Sequence, residues 1–262
     1  MGQRQQRHRR RRLDAELVEQ GFFSNAEDAL RAVLAGDVST TNRRLESPGE
    51  QVDEGIFLHV RGHVPYVSRG GIKLAHGLEH FGLDVSGCDC LDVGCSTGGF
   101  TDCLLRHGAA SVLAVDVGYA QFDWSLRQDE RVTLVERKNV VDLPAHPLAR
   151  PVDVAVCDVS FTSVLTILPA VRELLRPGGW FLTLVKPQFE APRSQVGQKG
   201  VVRDAAVRAE ALMRVSKGLE EAGFVVEGSC TSPIRGRKGN EEYLLLGRLS
   251  ACGKGAEAHE TG

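Results

Sequence analysis

A glycine-rich turn follows a short apolar run in the segment Leu91-Asp92-Val93-Gly94-Cys95-Ser96-Thr97-Gly98-Gly99-Phe100. Glycines at such a turn let the backbone bend sharply and approach a ligand without interference from Cβ atoms. Ser96 stands where the dinucleotide-binding pattern G-x-G-x-x-G has its second glycine, and no Gly-Lys-Ser/Thr follows as it does in a phosphate-binding loop. Asp92 would also repel a pyrophosphate. The turn therefore predicts a ligand that has no phosphate and carries a cationic amino group, and S-adenosylmethionine has both properties.

Strand-like and helix-like segments alternate around this turn. The near-continuous apolar run at 152–157 is typical of a strand in a parallel sheet that is covered on both faces. The last two candidate strands are joined by a long polar loop and predict an antiparallel hairpin. We therefore predict an α/β domain with a seven-stranded, mostly parallel sheet. The candidate strands are residues 90–93, 111–116, 132–136, 152–157, 180–185, 224–228 and 242–249.

Polar side chains end the next two candidate strands. Asp116 ends the second strand, where its carboxylate would accept hydrogen bonds from ribose hydroxyls, and Asn139 ends the third, within reach of an adenine edge. Because parallel strands share one carboxyl edge, these side chains are expected to meet the glycine turn there. The predicted donor-binding residues are Asp92, Gly94, Ser96, Thr97, Gly98, Gly99, Phe100, Asp116, Asn139 and Asp158.

The first twelve residues are strongly basic. They contain six arginines and no acid, although the whole chain has a formal net charge of -2. This asymmetry is typical of a disordered arm that faces nucleic-acid phosphates, and a disordered solubilising tail is the alternative interpretation.

Residues 13–60 predict a small α+β unit. Leu13, Leu17 and Val18 share one face of a first helix. Ser24 and Glu27 resemble a capping box at the start of a second helix. Short strands linked by turns follow as far as residue 60. The second helix is expected to bury Ala29, Leu30, Val33 and Leu34.

Composition argues against several classes of protein. No apolar run in the sequence approaches the ~18 residues that span a bilayer, and the charged, apolar and cleavage regions of a secretory signal do not follow one another at the N-terminus. The seven cysteines include no C-x-x-C pair, so we expect small buried side chains and no metal centre. We therefore expect a cytoplasmic protein that binds no membrane.

Six motifs occur in a fixed order along the chain. Two of them read Tyr66-Val67-Ser68-Arg69-Gly70-Gly71-Ile72-Lys73-Leu74 and Cys157-Asp158-Val159-Ser160-Phe161. Together the motifs resemble the TlyA (haemolysin-A-like) family of ribosomal RNA 2′-O-methyltransferases, whose catalytic domain is of the FtsJ type, and the resemblance covers residues 10–249. The other four motifs occupy residues 92–100, 116–119, 185–190 and 239–243.

The N-terminal part carries a resemblance of its own. Residues 10–60 resemble the ribosomal protein S-four type of RNA-binding domain, most clearly in Arg12-Leu13-Asp14 and in the turn Gly36-Asp37-Val38. The expected domain order is then a disordered basic arm at 1–12, the RNA-binding domain at 13–60, a linker and helix at 61–83, the methyltransferase domain at 84–249 and a disordered tail at 250–262.

The resemblance implies a fold, a cofactor and a substrate. The expected large domain is a Rossmann-like class I methyltransferase that uses S-adenosylmethionine. The expected substrate is the ribose 2′-hydroxyl of cytidines in ribosomal RNA, presented as free RNA or as ribosomal subunits.

The resemblance also assigns a catalytic tetrad of Lys73, Asp158, Lys186 and Glu242. Asp158 and Lys186 close the fourth and fifth candidate strands, beside the crevice in which α/β sheets bind ligands. Lys73 lies near the start of a helix, where a positive charge does not stabilise the helix. Lys186 is the candidate base for the 2′-hydroxyl, and an electrostatic anchor for the nascent alkoxide is the alternative role.

Basic residues are the candidate RNA contacts. The loop at 193–200 is expected either to close over the target nucleotide or to be a plain surface loop. Trp124 and Phe189 either stack on a base or pack in the core. The predicted RNA-binding residues are Arg9, Arg10, Arg11, Arg12, Arg69, Arg193 and Lys199.

Three other functions compete with this interpretation. A membrane-lysing haemolysin predicts a signal peptide or long amphipathic segments, and the sequence shows neither. A non-enzymatic RNA-binding ribosome-assembly factor predicts a substituted Lys73 or Lys186. A pseudouridine synthase, which often carries the same type of N-terminal domain, has no use for the turn at 94–99.

Overall fold

The computed structural model describes residues 10–20, 22–40, 43–54, 56, 58–62, 66–236 and 239–251. The chain forms two compact units, Met1–Arg69 and Gly70–Gly262. The division lies inside the segment 61–83 that the sequence assigns to a linker and helix, and the helix belongs to the second unit. Among the described residues, no helix is both long enough and apolar enough to cross a bilayer.

The first unit is a small α+β structure. Its strands pair antiparallel as β1 with β3 and β2 with β4, and its core includes the fully buried Leu13, Leu17 and Leu45. Its elements are β1 (Arg10–Arg12), α1 (Leu13–Glu19), α2 (Ala26–Leu34), β2 (Val38–Ser39), β3 (Gln51–Asp53) and β4 (His59–Val60).

Helix α2 differs from its prediction at its cap and on its buried face. Asn25, not Ser24, is the N-cap, and its side chain accepts a hydrogen bond from the Asp28 backbone N–H at 2.9 Å. Ala29 and Val33 are buried as predicted, but Leu30 and Leu34 are 37% and 67% exposed. A short helix on a small unit buries only a narrow stripe of side chains. Ala29 and Val33, which are four residues apart, form that stripe.

The end of the arginine-rich arm is ordered. Arg10–Arg12 form strand β1, so the prediction of disorder is wrong for these three residues. Acids of the same unit explain the order, because Arg11 Nη1 lies 3.0 Å from Glu16 Oε2 and Arg12 Nη2 lies 2.6 Å from Asp14 Oδ2. Arg10 lies 3.7 Å from Asp53. Residues 1–9, including Arg9, lie outside the described residues.

The second unit contains the predicted seven-stranded sheet. The strand order is β10-β11-β9-β8-β5-β6-β7. Strand β11 runs antiparallel to both of its neighbours, and all other neighbouring strands are parallel to each other. Its elements are α3 (Gly70–Phe81), β5 (Asp89–Val93), α4 (Gly99–Arg106), β6 (Ser111–Val115), α5 (Trp124–Arg127), β7 (Val132–Val135), β8 (Val152–Cys157), α6 (Val164–Leu174), β9 (Leu175–Val185), α7 (Pro187–Glu190), α8 (Ala205–Glu221), β10 (Phe224–Thr231) and β11 (Tyr243–Leu249), with 3-10 turns at Val140–Asp142 and Arg193–Gln195.

The strand order creates a crevice beside β5. The chain runs from β5 outward through β6 to β7 and then crosses to β8 on the other side of β5. The loops after β5 and β8 therefore leave the sheet in opposite directions, and ligands of α/β sheets bind at such a point, outside the carboxyl ends of the strands. The α/β fold and the final antiparallel hairpin are both confirmed.

Candidate active site

The glycine turn joins β5 to α4 in a conformation that requires its glycines. Gly94 has a φ of +82° and Gly98 a φ of +95°, a region that side chains with a Cβ rarely adopt. A Cβ on Gly94 would lie 3.1 Å from the Asp158 carbonyl oxygen, and one on Gly98 would lie 2.4 Å from Leu126 Cδ1. The turn thus packs its backbone directly against the chain that follows β8.

Asp92 lies beneath this turn and is fully buried. Its Oδ2 accepts a hydrogen bond from Thr101 Oγ1 at 2.6 Å, whereas its Oδ1 has no hydrogen-bond partner among the described residues. Burial raises the pKa of Asp92 to about 7, the hydrogen bond from Thr101 opposes the rise, and the nearby charge of Asp158 adds to it. The cationic amino group of S-adenosylmethionine, bound at the turn, would stabilise this carboxylate, so the residues present fit the predicted donor.

Asp116 directly follows β6 and holds the turn through backbone N–H groups. Its Oδ2 accepts from Ser96 N at 2.8 Å and its Oδ1 from Gly118 N at 2.6 Å. Each carboxylate oxygen has a second lone pair, so ribose hydroxyls can still bind there. Asp116 lines a cavity with Cys95, Ser96, Gly118, Tyr119, Gln121 and Glu136.

Asn139 is not where the sequence placed it. Strand β7 ends at Val135, and Asn139 is an exposed N-cap of the following 3-10 turn, whose Val141 N–H donates to Asn139 Oδ1 at 3.1 Å. Glu136, which directly follows β7 and lines the cavity, was missed by the sequence analysis. An acid immediately after a strand was the available signal, and it matches the position of Asp116 after β6.

The remaining turn residues divide between backbone and core positions. Ser96 is exposed and Thr97 is half-buried, so both are accessible at the turn. Gly99 is the first residue of α4. Phe100 as a whole residue is only 3% exposed, so it packs in the core.

The four predicted catalytic residues form two ion pairs. Lys73 Nζ lies 2.6 Å from Glu242 Oε2, and Lys186 Nζ lies 2.5 Å from Asp158 Oδ1. Both lysines and Glu242 are buried. Buried charges need such partners because an unpaired charge in a protein interior is costly.

Sheet register explains why these residues meet. Asp158 follows β8 and Lys186 follows β9, and β8 and β9 are parallel neighbours. Tyr243 of β11 pairs with Val185 of β9, so Glu242, the residue before β11, extends beside Lys186. Lys73, in the first turn of α3, reaches the same edge through its contact with Glu242.

Two neighbours of the tetrad were missed by the sequence analysis. Ser160 Oγ accepts a hydrogen bond from Lys186 Nζ at 2.8 Å. A Cβ on Gly236 would lie 1.9 Å from Glu242 Oε1, so this position admits only glycine while Glu242 keeps its place. Ser160 is two residues from Asp158 in a matching motif, whereas nothing in the sequence singles out Gly236.

Phe161 is the most unusual aromatic residue near the tetrad. Its side chain is 90% exposed and its φ is +66°, a strained conformation for a residue with a Cβ. Its ring centroid lies 5.2 Å from that of Phe189, which is half-buried. Trp124 is 73% exposed on α5. Ser160, which contacts Lys186, directly precedes Phe161 in the chain. An exposed aromatic ring therefore follows a residue of the tetrad's surroundings.

Several of the predicted RNA contacts are exposed, among them Arg69, Arg193 and Lys199. Arg193 lies in the second 3-10 turn, and Lys199 lies beyond it in the same loop. Arg69 is exposed at the end of the first unit. The loop is held by Asn240, which accepts from Val202 N at 3.1 Å and donates to the Gly200 carbonyl at 2.8 Å.

Comparisons with known proteins identify the family of the chain. Residues 66–249 match the model of the FtsJ-like methyltransferase family. The chain is 46% identical to a Bacillus subtilis protein named "Putative rRNA methyltransferase YqxC", over 96% of this chain and 90% of that protein. It is 42% identical to the 16S/23S rRNA (cytidine-2′-O)-methyltransferase TlyA of Mycobacterium tuberculosis, over 90% of this chain and 89% of that protein. A solved structure described as "Putative hemolysin from Streptococcus thermophilus" is 41% identical, with a TM-score of 0.70 and coverage of 93% and 90%.

Proposed function

Since the chain belongs to the FtsJ-like methyltransferase family, we propose that it methylates ribose 2′-hydroxyls of cytidines in ribosomal RNA. The observation that carries the proposal is the meeting of two sites at one edge of the sheet. The glycine turn after β5 packs against Asp158, and Asp158 is ion-paired with Lys186. A donor held by the turn would thus lie beside the residues that act on the acceptor.

The reaction forms one bond and breaks another. S-adenosylmethionine would supply a methyl group on a sulfonium sulfur. The ribose oxygen would bond to the methyl carbon, the carbon–sulfur bond would break with its electron pair going to sulfur, and the hydroxyl proton would pass to solvent water. The 2′-hydroxyl is a weak acid, so the protein has to stabilise the oxygen as the proton leaves.

Lys186 is suited to stabilise that oxygen. Its ammonium has three N–H donors, of which one donates to Ser160, and an ion pair at 2.5 Å holds the ammonium beside Asp158 Oδ1. A further N–H would donate to the ribose oxygen. Of the two roles that the sequence leaves open, we assign Lys186 the electrostatic anchor, because its ion pair with Asp158 at 2.5 Å holds its amino group beside the donor turn. Lys73 and Glu242 would neutralise each other's charge beside Lys186.

Acidic side chains are assigned to the donor. Asp116 and Glu136 line the cavity next to the turn and would accept hydrogen bonds from the donor's ribose hydroxyls. Asp92 would compensate the charge of the donor's amino group. This assignment replaces Asn139 with Glu136 as the polar residue that follows β7.

RNA is assigned to the first unit and to exposed basic residues of the second. We assign the first unit as an RNA-binding domain of the ribosomal protein S-four type, with ribosomal RNA or a ribosomal subunit as the partner and the cytoplasm as the location. Within that unit Arg11 and Arg12 are ion-paired with acids, so they are weaker phosphate contacts than the sequence predicted. Arg193 and Lys199 would contact phosphates near the tetrad.

Methyl transfer from an isotopically labelled donor tests this function. The purified chain is expected to label ribosomal RNA, free or in ribosomal subunits, in a reaction that depends on added donor. A ribosome-assembly factor of the same fold would bind the RNA and transfer no label. Absence of transfer to every form of ribosomal RNA would contradict the proposal.

A further inference from the structure

Two histidines and a cysteine converge on the side of the second unit. His76 and His80 are four residues apart on α3, so they share one face of the helix. Cys230 lies near the end of β10, the edge strand of the sheet. The ligand atoms of all three side chains lie within 4.8 Å of one another. These residues are 154 positions apart in the chain at their widest, from 76 to 230, so no spacing pattern in the sequence indicated them.

The geometry points to a binding site for one Zn²⁺ ion at His76, His80 and Cys230. Two imidazole nitrogens and one thiolate are a donor set that zinc prefers over magnesium or calcium, which prefer oxygen. Three protein ligands leave the fourth tetrahedral position to water. The inference is independent of the proposed methyl transfer, because it concerns residues outside the tetrad and the donor cavity.

The surroundings of the cluster support coordination. Zinc bonds of about 2.0–2.1 Å to nitrogen and about 2.3 Å to sulfur require the ligands to close in. The side chain of His80 is exposed, and its ring centroid already lies 6.0 Å from that of His76. A backbone hydrogen bond to Thr231 orients the His76 ring, an arrangement common for metal-bound histidines.

The site would join two elements that position the tetrad. Lys73 lies one helical turn before His76 on α3. Cys230 pairs with Leu244 across the hairpin of β10 and β11, two residues beyond Glu242. A metal bound by all three residues therefore fastens α3 to the hairpin close to the ion pair between Lys73 and Glu242.

A second pair of histidine and cysteine provides matched controls. His107 Nδ1 lies 3.6 Å from Cys103 Sγ and 2.8 Å from the Cys103 carbonyl oxygen on α4. These two residues belong to no described group of three or more ligands. Cys88 is a free, half-buried cysteine like Cys230. His107→Ala and Cys88→Ser are therefore the controls for His80→Ala and Cys230→Ser.

Cobalt binding tests the site directly. The untagged full-length chain, stripped of metal and kept reduced, is titrated with Co²⁺, and Zn²⁺ is then added as a competitor. We expect intense tetrahedral cobalt absorption with a sulfur-to-cobalt charge-transfer band, and stoichiometric zinc should remove both. Cys230→Ser should lose the charge-transfer band, and His80→Ala should weaken binding by more than the roughly 10- to 100-fold typical of outer-shell substitutions.

The controls decide the outcome. Cys88→Ser and His107→Ala should bind cobalt as the unsubstituted chain does. His80 is exposed, so its substitution leaves the fold intact, which unchanged circular dichroism would show. A chain that gives no cobalt spectrum, or a charge-transfer band that survives in Cys230→Ser or disappears in Cys88→Ser, would overturn the inference.

Discussion

Each lysine of the proposed tetrad forms an ion pair with one carboxylate, and this pairing limits the chemistry that the lysine can perform. Lys186 carries one ion pair and one hydrogen bond, to Asp158 and Ser160. The family resemblance proposed all four members of the tetrad. Asp158 and Lys186 follow strands and Glu242 precedes one, and these three strand ends lie at one edge of the sheet. The resemblance did not reveal their pairing, since the choice of partner depends on side-chain positions that no local pattern encodes.

Replacing Lys186 tests its role in the reaction. Lys186→Ala should lower the rate of methyl transfer by roughly 10²- to 10³-fold or more, because the nascent oxyanion loses its main charged donor. Binding of the methyl donor and of RNA should change little. The rate is measured as transfer of labelled methyl under single-turnover conditions.

An exposed lysine provides the comparison. Lys217 on α8 is 73% exposed at its side chain and lies 3.7 Å from Glu221, so Lys217→Ala should leave the rate unchanged. A fully active Lys186→Ala chain would remove this residue from the mechanism.

Asp92 should make stability depend on pH. Its folded-state pKa is about 7 and its ordinary value is 3.8, so the folded state holds a proton that the unfolded state has lost between these values. The free protein should therefore lose stability as pH rises from about 4 to about 7, by at most about 4 kcal/mol from this group. Urea unfolding across that range measures the effect.

Asp92→Asn isolates this contribution. The variant cannot ionise, so its stability relative to the unsubstituted chain should rise with pH up to about 7 and then level off. A difference between the two chains that stays constant from pH 4 to 8 would show that Asp92 is ionised throughout in the folded state.

Phe161 should position the target nucleotide. Its exposed ring and strained backbone cost stability without contributing to the core, so we expect it to stack on the base of the flipped nucleotide. Phe161→Ala should raise KM for RNA and lower kcat, with a combined loss of about 1–3 kcal/mol, the range for one stacked base. Steady-state kinetics with ribosomal RNA measure it.

Met213→Ala is the control, since Met213 is also largely exposed but lies on α8. Its kinetic constants should be close to those of the unsubstituted chain. Equal losses in both variants would mean that any exposed apolar side chain has this effect and that Phe161 does not position the nucleotide.

At the scale of elements, the sequence predicts segments with a repeating pattern and misses pairings between distant positions. The strands of the sheet and the turn between β5 and α4 follow from long apolar runs and from the glycines that the turn requires. The small unit was predicted less well. Strand β1 forms by pairing with β3, and pairing between positions 41 residues apart is invisible in a local pattern.

The turn gives a prediction at this scale. Gly98→Ala should destabilise the second unit and abolish donor binding, because the new Cβ meets Leu126 Cδ1 at 2.4 Å in a backbone region that disfavours alanine. Gly82→Ala carries similar backbone strain, with φ +61°, but its Cβ meets nothing within 4 Å.

Gly82→Ala should thus lose only about 1 kcal/mol or slightly more and should bind the donor normally. Thermal unfolding and calorimetry separate the two variants. If both variants bind the donor equally well, close packing at the turn is not what forms the donor site.

At the scale of the whole molecule, the two compact units suggest a division of labour. The donor cavity and the tetrad lie entirely in Gly70–Gly262, and the sequence already predicted a separate N-terminal unit. Removing Met1–Arg69 should therefore weaken RNA binding and reduce its dependence on salt, since each lost phosphate contact lowers the logarithmic slope by roughly 0.7–0.9. Donor binding should persist.

Filter binding across a range of salt concentrations and donor calorimetry test this division together. Circular dichroism of the shortened chain establishes that it is folded. If a folded shortened chain binds RNA with unchanged affinity and salt slope, the first unit is not the RNA-binding domain.

The identity of the methylated atom tests the central claim most directly. Ribosomal subunits are incubated with the full-length chain and isotopically labelled donor, and the RNA is digested to nucleosides for mass spectrometry. The label should appear as 2′-O-methylcytidine and should be absent with Lys186→Ala. Label on a nucleobase, or none in any nucleoside, would contradict the assignment of this site to ribose methylation.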